Sequence, residues 1–116
     1  MLFRSTVWAI SAETGLTTWK HEQPAGMMSL AATGGGLVFG GDANGRFKAL
    51  DDRSGKMLWD VNLGSAVSGY PITFAVDGKQ YVAVITGPSL VANSDARVAP
   101  ELMQGNAPNV FVFSLP

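Results

Sequence analysis

The chain has 116 residues, enough for one small domain at most. Hydrophobic residues make up 47% of it, so a core is within reach, and the net charge of −1 argues against nucleic acid, which needs a basic patch. Cysteine is absent, which removes disulfides and thiol chemistry, and no apolar run is long enough to span a bilayer.

Met1–Arg4 followed by Ser5–Ala12 faintly resembles a secretion signal. The apolar part is too short, and Thr6–Ser11 reads as a strand instead. Arg4–Ser11 and Leu16–Lys20 are predicted strands joined by a turn over Ala12–Gly15, with Gly15 supplying a positive φ. Gln23–Gly26 is a crossing, and Met28–Thr33 is a strand of small residues suited to a crowded inner position. Leu37–Gly41, Arg46–Leu50 and Lys56–Val61 follow as three strands, separated by the polar turns Asp42–Gly45 and Asp51–Gly55. So many glycines leave no room for a helix. Leu63–Ser65 crosses again. Pro71–Val76 and Gln80–Thr86 form a hairpin around Asp77-Gly78, a strong turn signal. Pro88–Pro108 reads as an insertion, with one helical turn at Pro100–Met103, since proline suits the first helical position. Val110–Leu115 is the final strand, and no fourth strand follows it.

A repeat organises these elements. Ala9, Gly15 and Trp19 recur as Ala49, Gly55 and Trp59, each 40 positions on, and Ile10 and Thr14 recur in kind as Leu50 and Ser54. A period of roughly 40 to 45 residues is that of a four-stranded propeller blade. The expectation is therefore an all-β partial propeller of about nine short antiparallel strands. Residues 1–22 end one blade, 23–62 make a complete blade, and 63–116 supply three strands of a last blade with an insertion at 88–108.

Few residues carry chemistry of their own. Trp19 and Trp59 could stack on a cofactor, but a large ring with one N–H better suits a packed interface near a carbonyl. Trp8 stands where its twin is Lys48 and is expected to be half exposed. His21 is the single histidine, placed after a predicted strand, and reads as a surface residue; no second histidine or cysteine supports zinc or a triad. Asp42, Asn44 and Gly45 hint at a calcium loop but lack its further oxygens and terminal glutamate, so they form a hairpin turn. Gly34–Gly36 is followed by neither a helix nor a Lys-Ser/Thr pair, which removes a phosphate loop. Asp51 beside Asp52 is expected to cap its turn by accepting backbone N–H bonds.

The segment Ala49–Trp59, with its Asp51, Ser54 and Gly55, is similar to the tryptophan docking motif of the quinoprotein alcohol dehydrogenases, eight-bladed propellers that bind pyrroloquinoline quinone (PQQ). Gly34–Trp59, Gly69–Thr73, Asp77–Val84 and Val110–Pro116 resemble the C-terminal blades and terminus of that family. The resemblance implies docking roles for Trp19, Trp59, Gly15, Gly55 and Asp51. It implies oxidation of an alcohol to an aldehyde by PQQ beside calcium or a lanthanide, with cytochrome c as electron acceptor, in the periplasm. The family's metal ligands and aspartate base lie upstream of the part that resembles this chain. Two segments approach the cofactor in relatives. Met27 stands where one has a tryptophan, and Gly87 matches a glycine-rich loop from which Pro88–Val91 departs.

Two readings follow: the C-terminal portion of a PQQ-dependent alcohol dehydrogenase, inactive and without cofactor as an isolated chain, or a non-catalytic propeller piece that serves as a scaffold or protein-binding module. In either, the open edge Val110–Leu115 and the Arg4–Ser11 side are expected to pair, with the rest of a propeller or with another copy.

Overall fold

The structure is a computed structural model that describes residues 5–24, 26–89, 93, 94, 97, 100–102, 105 and 107–114. Nine strands are present among these residues: β1 (Ser5–Ile10), β2 (Thr17–Gln23), β3 (Met27–Ala32), β4 (Leu37–Asp42), β5 (Arg46–Asp51), β6 (Met57–Asn62), β7 (Ile72–Val76), β8 (Lys79–Thr86) and β9 (Asn109–Ser114). They form three antiparallel sheets, ordered β1-β2, β3-β4-β5-β6 and β7-β8-β9. Each strand pairs with its neighbour in sequence, which is the meander that the turn chemistry predicts. At Asp77-Gly78 both residues are left-handed, with φ of 50° and 77°, as a two-residue hairpin turn of the primed type requires.

Most expected strand boundaries move by at most one residue, and one moves further. The sequence reading ends the second strand at Lys20, whereas β2 continues to Gln23 because Val7, Thr6 and Ser5 pair with His21, Glu22 and Gln23. His21 therefore lies inside a strand, and Gln23 is a buried strand end rather than a crossing. Within the insertion, Asn93, Ser94 and Arg97 have helical backbone and Pro100–Leu102 forms a 3-10 turn. Arg4, Met103 and Leu115, which the predicted elements included, lie outside the described residues.

The two faces of the four-stranded sheet do different work. Phe39, Phe47 and Ala49 point to one side and form a core with Val67, Val82 and Val84, against which Val61, Phe111 and Phe113 pack. This core seats the third sheet on the second. Lys48 and Leu50 point to the other side, toward the first sheet, and are also buried. A sheet covered on both faces is what a blade within a stack of blades must be.

The two repeat tryptophans have different surroundings. Trp19 lies over Gly55, close enough that a Cβ there would meet Trp19 Cε3 at 2.5 Å, and its Nε1 donates to the carbonyl of Asp52 at 2.7 Å. Gly55 also has φ of +71°, so sterics and backbone both demand glycine. Trp59 is 37% exposed and packs edge-on against Phe113, with ring centroids 5.1 Å apart. The reason for the difference is topological. Trp19 meets the β5–β6 turn of the next sheet, whereas β9 is the last strand described in its sheet, and among the described residues no such turn faces Trp59.

Candidate functional site

One end of the second and third sheets gathers the residues that the sequence singled out as nearest a cofactor. Met27 opens β3 and is registered with Asp42 at the end of β4. The carbonyl of Asp42 accepts from Val67 N at 3.1 Å, and Val67 bridges Thr86, the neighbour of Gly87. Met27 and Gly87 thus belong to one rim, joined through Asp42 and Val67. A Cβ on Gly41 would collide with the side chain of Val67, so glycine is what lets the linker lie flat on β4.

The rim is fixed by hydrogen bonds on its far side. Gly87 N donates to Ala66 O at 2.9 Å, and Gly105 N donates to Gly64 O at 3.0 Å. Buried Thr86 donates from Oγ1 to Ala107 O, and Ser65 Oγ accepts from Ala107 N. The space beside Gly87 Cα is taken by Pro108, whose Cα would sit 3.3 Å from an added Cβ.

Behind the rim lies a buried polar cluster that sequence reasoning missed. Lys48 Nζ is 3.1 Å from Asp42 Oδ2 and donates to Gln23 Oε1 at 3.2 Å. Asp42 Oδ1 accepts from Arg46 N at 2.9 Å, which closes the β4–β5 turn. Asp42 is therefore the hub: its backbone holds β3 and the linker, and its carboxylate holds the turn and the lysine. Gln23 brings in the first sheet. Arg46 and Asp60 pair at 3.0 Å nearby. At the other end of the sheet, Asp51 accepts from Ser54 Oγ at 2.6 Å and from Arg53 N at 3.3 Å. The serine hydroxyl first, then the arginine N–H, hold its carboxyl below the usual carboxylate range.

His21 lies on the β2 face that turns toward this cluster. Burial, and secondly the charge of Lys48, push its pKa below the ordinary histidine value. A depressed folded-state pKa means that the unfolded chain binds the proton more readily. Stability from this group is therefore complete above about pH 6.5, falls as pH drops through that value, and levels off below the depressed one. Urea unfolding between about pH 8 and about pH 5 should show this fall, and His21→Gln should remove that component. An unchanged slope in the variant would refute it.

Among the described residues no three histidine, cysteine, aspartate or glutamate side chains cluster to hold a metal ion. No helix among them is long and apolar enough to cross a membrane. Thr86 and Ser65 on the rim are hydrogen-bonded to Ala107, and the space beside Gly87 is filled by Pro108. No step of chemistry is assigned to the described residues.

Comparison with known proteins places this geometry. A PQQ family model described as glucose/ethanol/alcohol dehydrogenase, beta-propeller domain, matches residues 12–82. The quinoprotein alcohol dehydrogenase PedE of Pseudomonas putida is 40% identical over 83 residues, which cover 71% of this chain and 13% of that protein. The 1-butanol dehydrogenase (cytochrome c) of Thauera butanivorans is 39% identical over 83 residues, 72% of this chain and 12% of that protein. A solved europium-containing methanol dehydrogenase superposes with a TM-score of 0.80 at 32% identity, over 95% of this chain and 23% of that one. The chain thus spans about an eighth of the length of these curated relatives. The fold is a partial β-propeller, and the chain belongs to the PQQ-dependent glucose/ethanol/alcohol dehydrogenase β-propeller family.

Proposed function

We propose that this chain forms the C-terminal blades of a PQQ-dependent alcohol dehydrogenase, whose whole propeller oxidises an alcohol to the aldehyde. The family match across residues 12–82 carries this reading. The quinone, when bound beside a Lewis-acidic metal, supplies the two-electron acceptor. The contribution of the residues described here is architectural. The Asp42 hub and the Gly87 loop form a preorganised wall, and Met27 and Gly87 stand on the rim nearest the cofactor. The sheets correspond to the end of one blade, a full blade and most of another, with Trp19 on Gly55 acting as a docking pair between the first two. A relative named for cytochrome c supports that protein as the electron acceptor, and a periplasmic location accords with the family.

An exchange experiment tests this. Residues 5–114 replace the matching segment of the Pseudomonas putida enzyme. The chimaera should reduce a dye acceptor only when PQQ, metal and alcohol are all supplied. The 116-residue chain alone should not. A chimaera that folds as the parent does yet stays inactive would refute the reading, and so would turnover by the isolated chain.

A further inference from the structure

The first and second sheets meet along a seam in which one face of β2 does the docking. Trp19, His21 and Gln23 alternate onto that face, and the two outer members are anchored. Trp19 packs on Gly55 and donates to Asp52 O, and Gln23 Oε1 accepts from Lys48 Nζ at 3.2 Å. His21 stands between these anchors, about 7 Å along the strand from each. Its partner across the β1–β2 ladder is Val7, which is buried on the same side. The seam is nearly dry: Gln23, Lys48 and Leu50 are 4%, 6% and 1% exposed.

Among the described residues, the charges that the second sheet turns to this seam are already matched. β5 supplies Arg46 and Lys48, β4 supplies Asp42 and β6 supplies Asp60. Lys48 pairs with Asp42 at 3.1 Å and Arg46 with Asp60 at 3.0 Å. β1 and β3 carry no charged residue. On β2 itself, Lys20 and Glu22 lie on the opposite face and pair with each other. Glu13 in the β1–β2 turn, and Asp52, Arg53 and Lys56 in the β5–β6 turn, are exposed, while Asp51 is taken by Ser54 and the Arg53 N–H. A neutral imidazole fits such a seam. A proton on it sets a third cation against two carboxylates, with Lys48 opposing it and little water to screen the repulsion. Asp60 Oδ1 accepts no hydrogen bond among the described residues, yet the net pull on the imidazole is still toward the neutral form, so that carboxylate does not offset Lys48.

We infer that this seam is an acid-sensitive joint with His21 as its sensor: a proton on the imidazole parts β2 from β5 at the Gln23–Lys48 contact, while the second and third sheets stay together. The core between those two sheets is built from Phe39, Phe47, Val67, Val82 and Val84, all of them apolar. The inference rests on the fold, and not on the reading of the whole enzyme as an alcohol dehydrogenase. It also goes beyond a loss of overall stability at low pH, because it assigns the proton to one joint that opens on its own. In the open joint the imidazole meets water and titrates near about pH 6.5, whereas the closed joint keeps it neutral to lower pH. Opening is therefore independent of pH above that value. It grows as pH falls through it, by up to about tenfold per unit, and levels off once the closed joint also takes the proton.

Because the chain has no cysteine, one introduced thiol can report on each joint. Val7→Cys places it in the first seam and Val84→Cys in the core between the second and third sheets; both positions are buried. Each is made with His21 in place and with His21→Gln, and labelling by a methanethiosulfonate is followed from about pH 8 to about pH 5. Comparison at equal pH cancels the reagent's own pH dependence. With His21 in place, the thiol at position 7 should label at least about tenfold faster than that at position 84, since it needs only the joint to open. Its rate relative to the His21→Gln chain should be constant above about pH 7 and rise as pH falls, as proton linkage requires. Should Val7→Cys fail to fold by circular dichroism, Ala9→Cys on the same face replaces it. Equal labelling at the two positions overturns the inference, because the seam then opens only with the whole chain. A ratio at position 7 that stays flat across that pH range overturns it too, because His21 is then not the sensor.

Discussion

Phe47→Ala should cost about 3–5 kcal/mol of stability, the usual range for truncating a fully buried phenylalanine. Phe47 is fully buried, with 0% exposure. Its ring touches three others: it stacks on Phe39 at 5.9 Å and on Phe113 at 5.9 Å, and meets Trp59 edge-on at 5.7 Å between centroids. Phe39 and Trp59 belong to its own sheet, whereas Phe113 belongs to the third. Truncation therefore opens a cavity at the junction of two sheets, and a β-sheet cannot collapse to fill it as a loop could. A small domain has only about 5–15 kcal/mol in all, so a large share of the chain would be unfolded near physiological temperature. In urea the midpoint should fall by about 2 M, taking a slope of about 2 kcal/mol/M. Phe47→Leu, which keeps most of the volume, should cost about 1 kcal/mol. Equal losses from the two substitutions would show that the cavity is not the cause.

Much of this architecture could be read from the chain because its signals are local. Asp77-Gly78, Asp42–Gly45 and Asp51–Gly55 are turns by their own backbone and side-chain chemistry, whatever surrounds them. The repeat then orders the strands into blades, because Gly15, Trp19, Gly55 and Trp59 share one period. The buried cluster behind the rim was not readable in this way. A lysine between Phe47 and Ala49 fits an alternating strand with one wet face, and in most antiparallel sheets Lys48 would point to water. Here the face is covered by the first sheet, and coverage is a tertiary fact with no local signature. The same holds for Gln23 and His21, whose burial depends on β1 pairing along the full length of β2. Trp59 shows the converse limit. Its sequence environment repeats that of Trp19, yet the turn that would face it has no counterpart among the described residues of the third sheet. Met27 and Gly87 came together on one rim because both mark the same end of adjacent sheets, a relation that strand order alone supplies.

Lys48→Met should destabilise the chain by about 3–5 kcal/mol, as removal of one partner from a buried ion pair does. Asp42 is 1% exposed, and among the described residues no hydrogen bond reaches its Oδ2, which leaves the ammonium of Lys48 at 3.1 Å as its compensation. Methionine preserves the length and apolar stem of the lysine, so the loss reports charge and not packing. The carboxylate cannot escape to water by rotating, because its Oδ1 is held by Arg46 N and its carbonyl by Val67 N. Asp42→Asn in the Lys48→Met background should recover a substantial part of the loss: the amide oxygen can still accept from Arg46 N, and no charge is stranded. The double variant therefore decides between two accounts. Recovery identifies an uncompensated buried carboxylate as the cost. If the two losses simply add, as they do for independent sites, the pair is not coupled and Lys48 acts through its contact with Gln23 alone. The rim gives a second readout. Unpairing Asp42 loosens the hub that holds the Val67 linker to β4, so hydrogen exchange at Val67 N should quicken in Lys48→Met and slow again in the double variant.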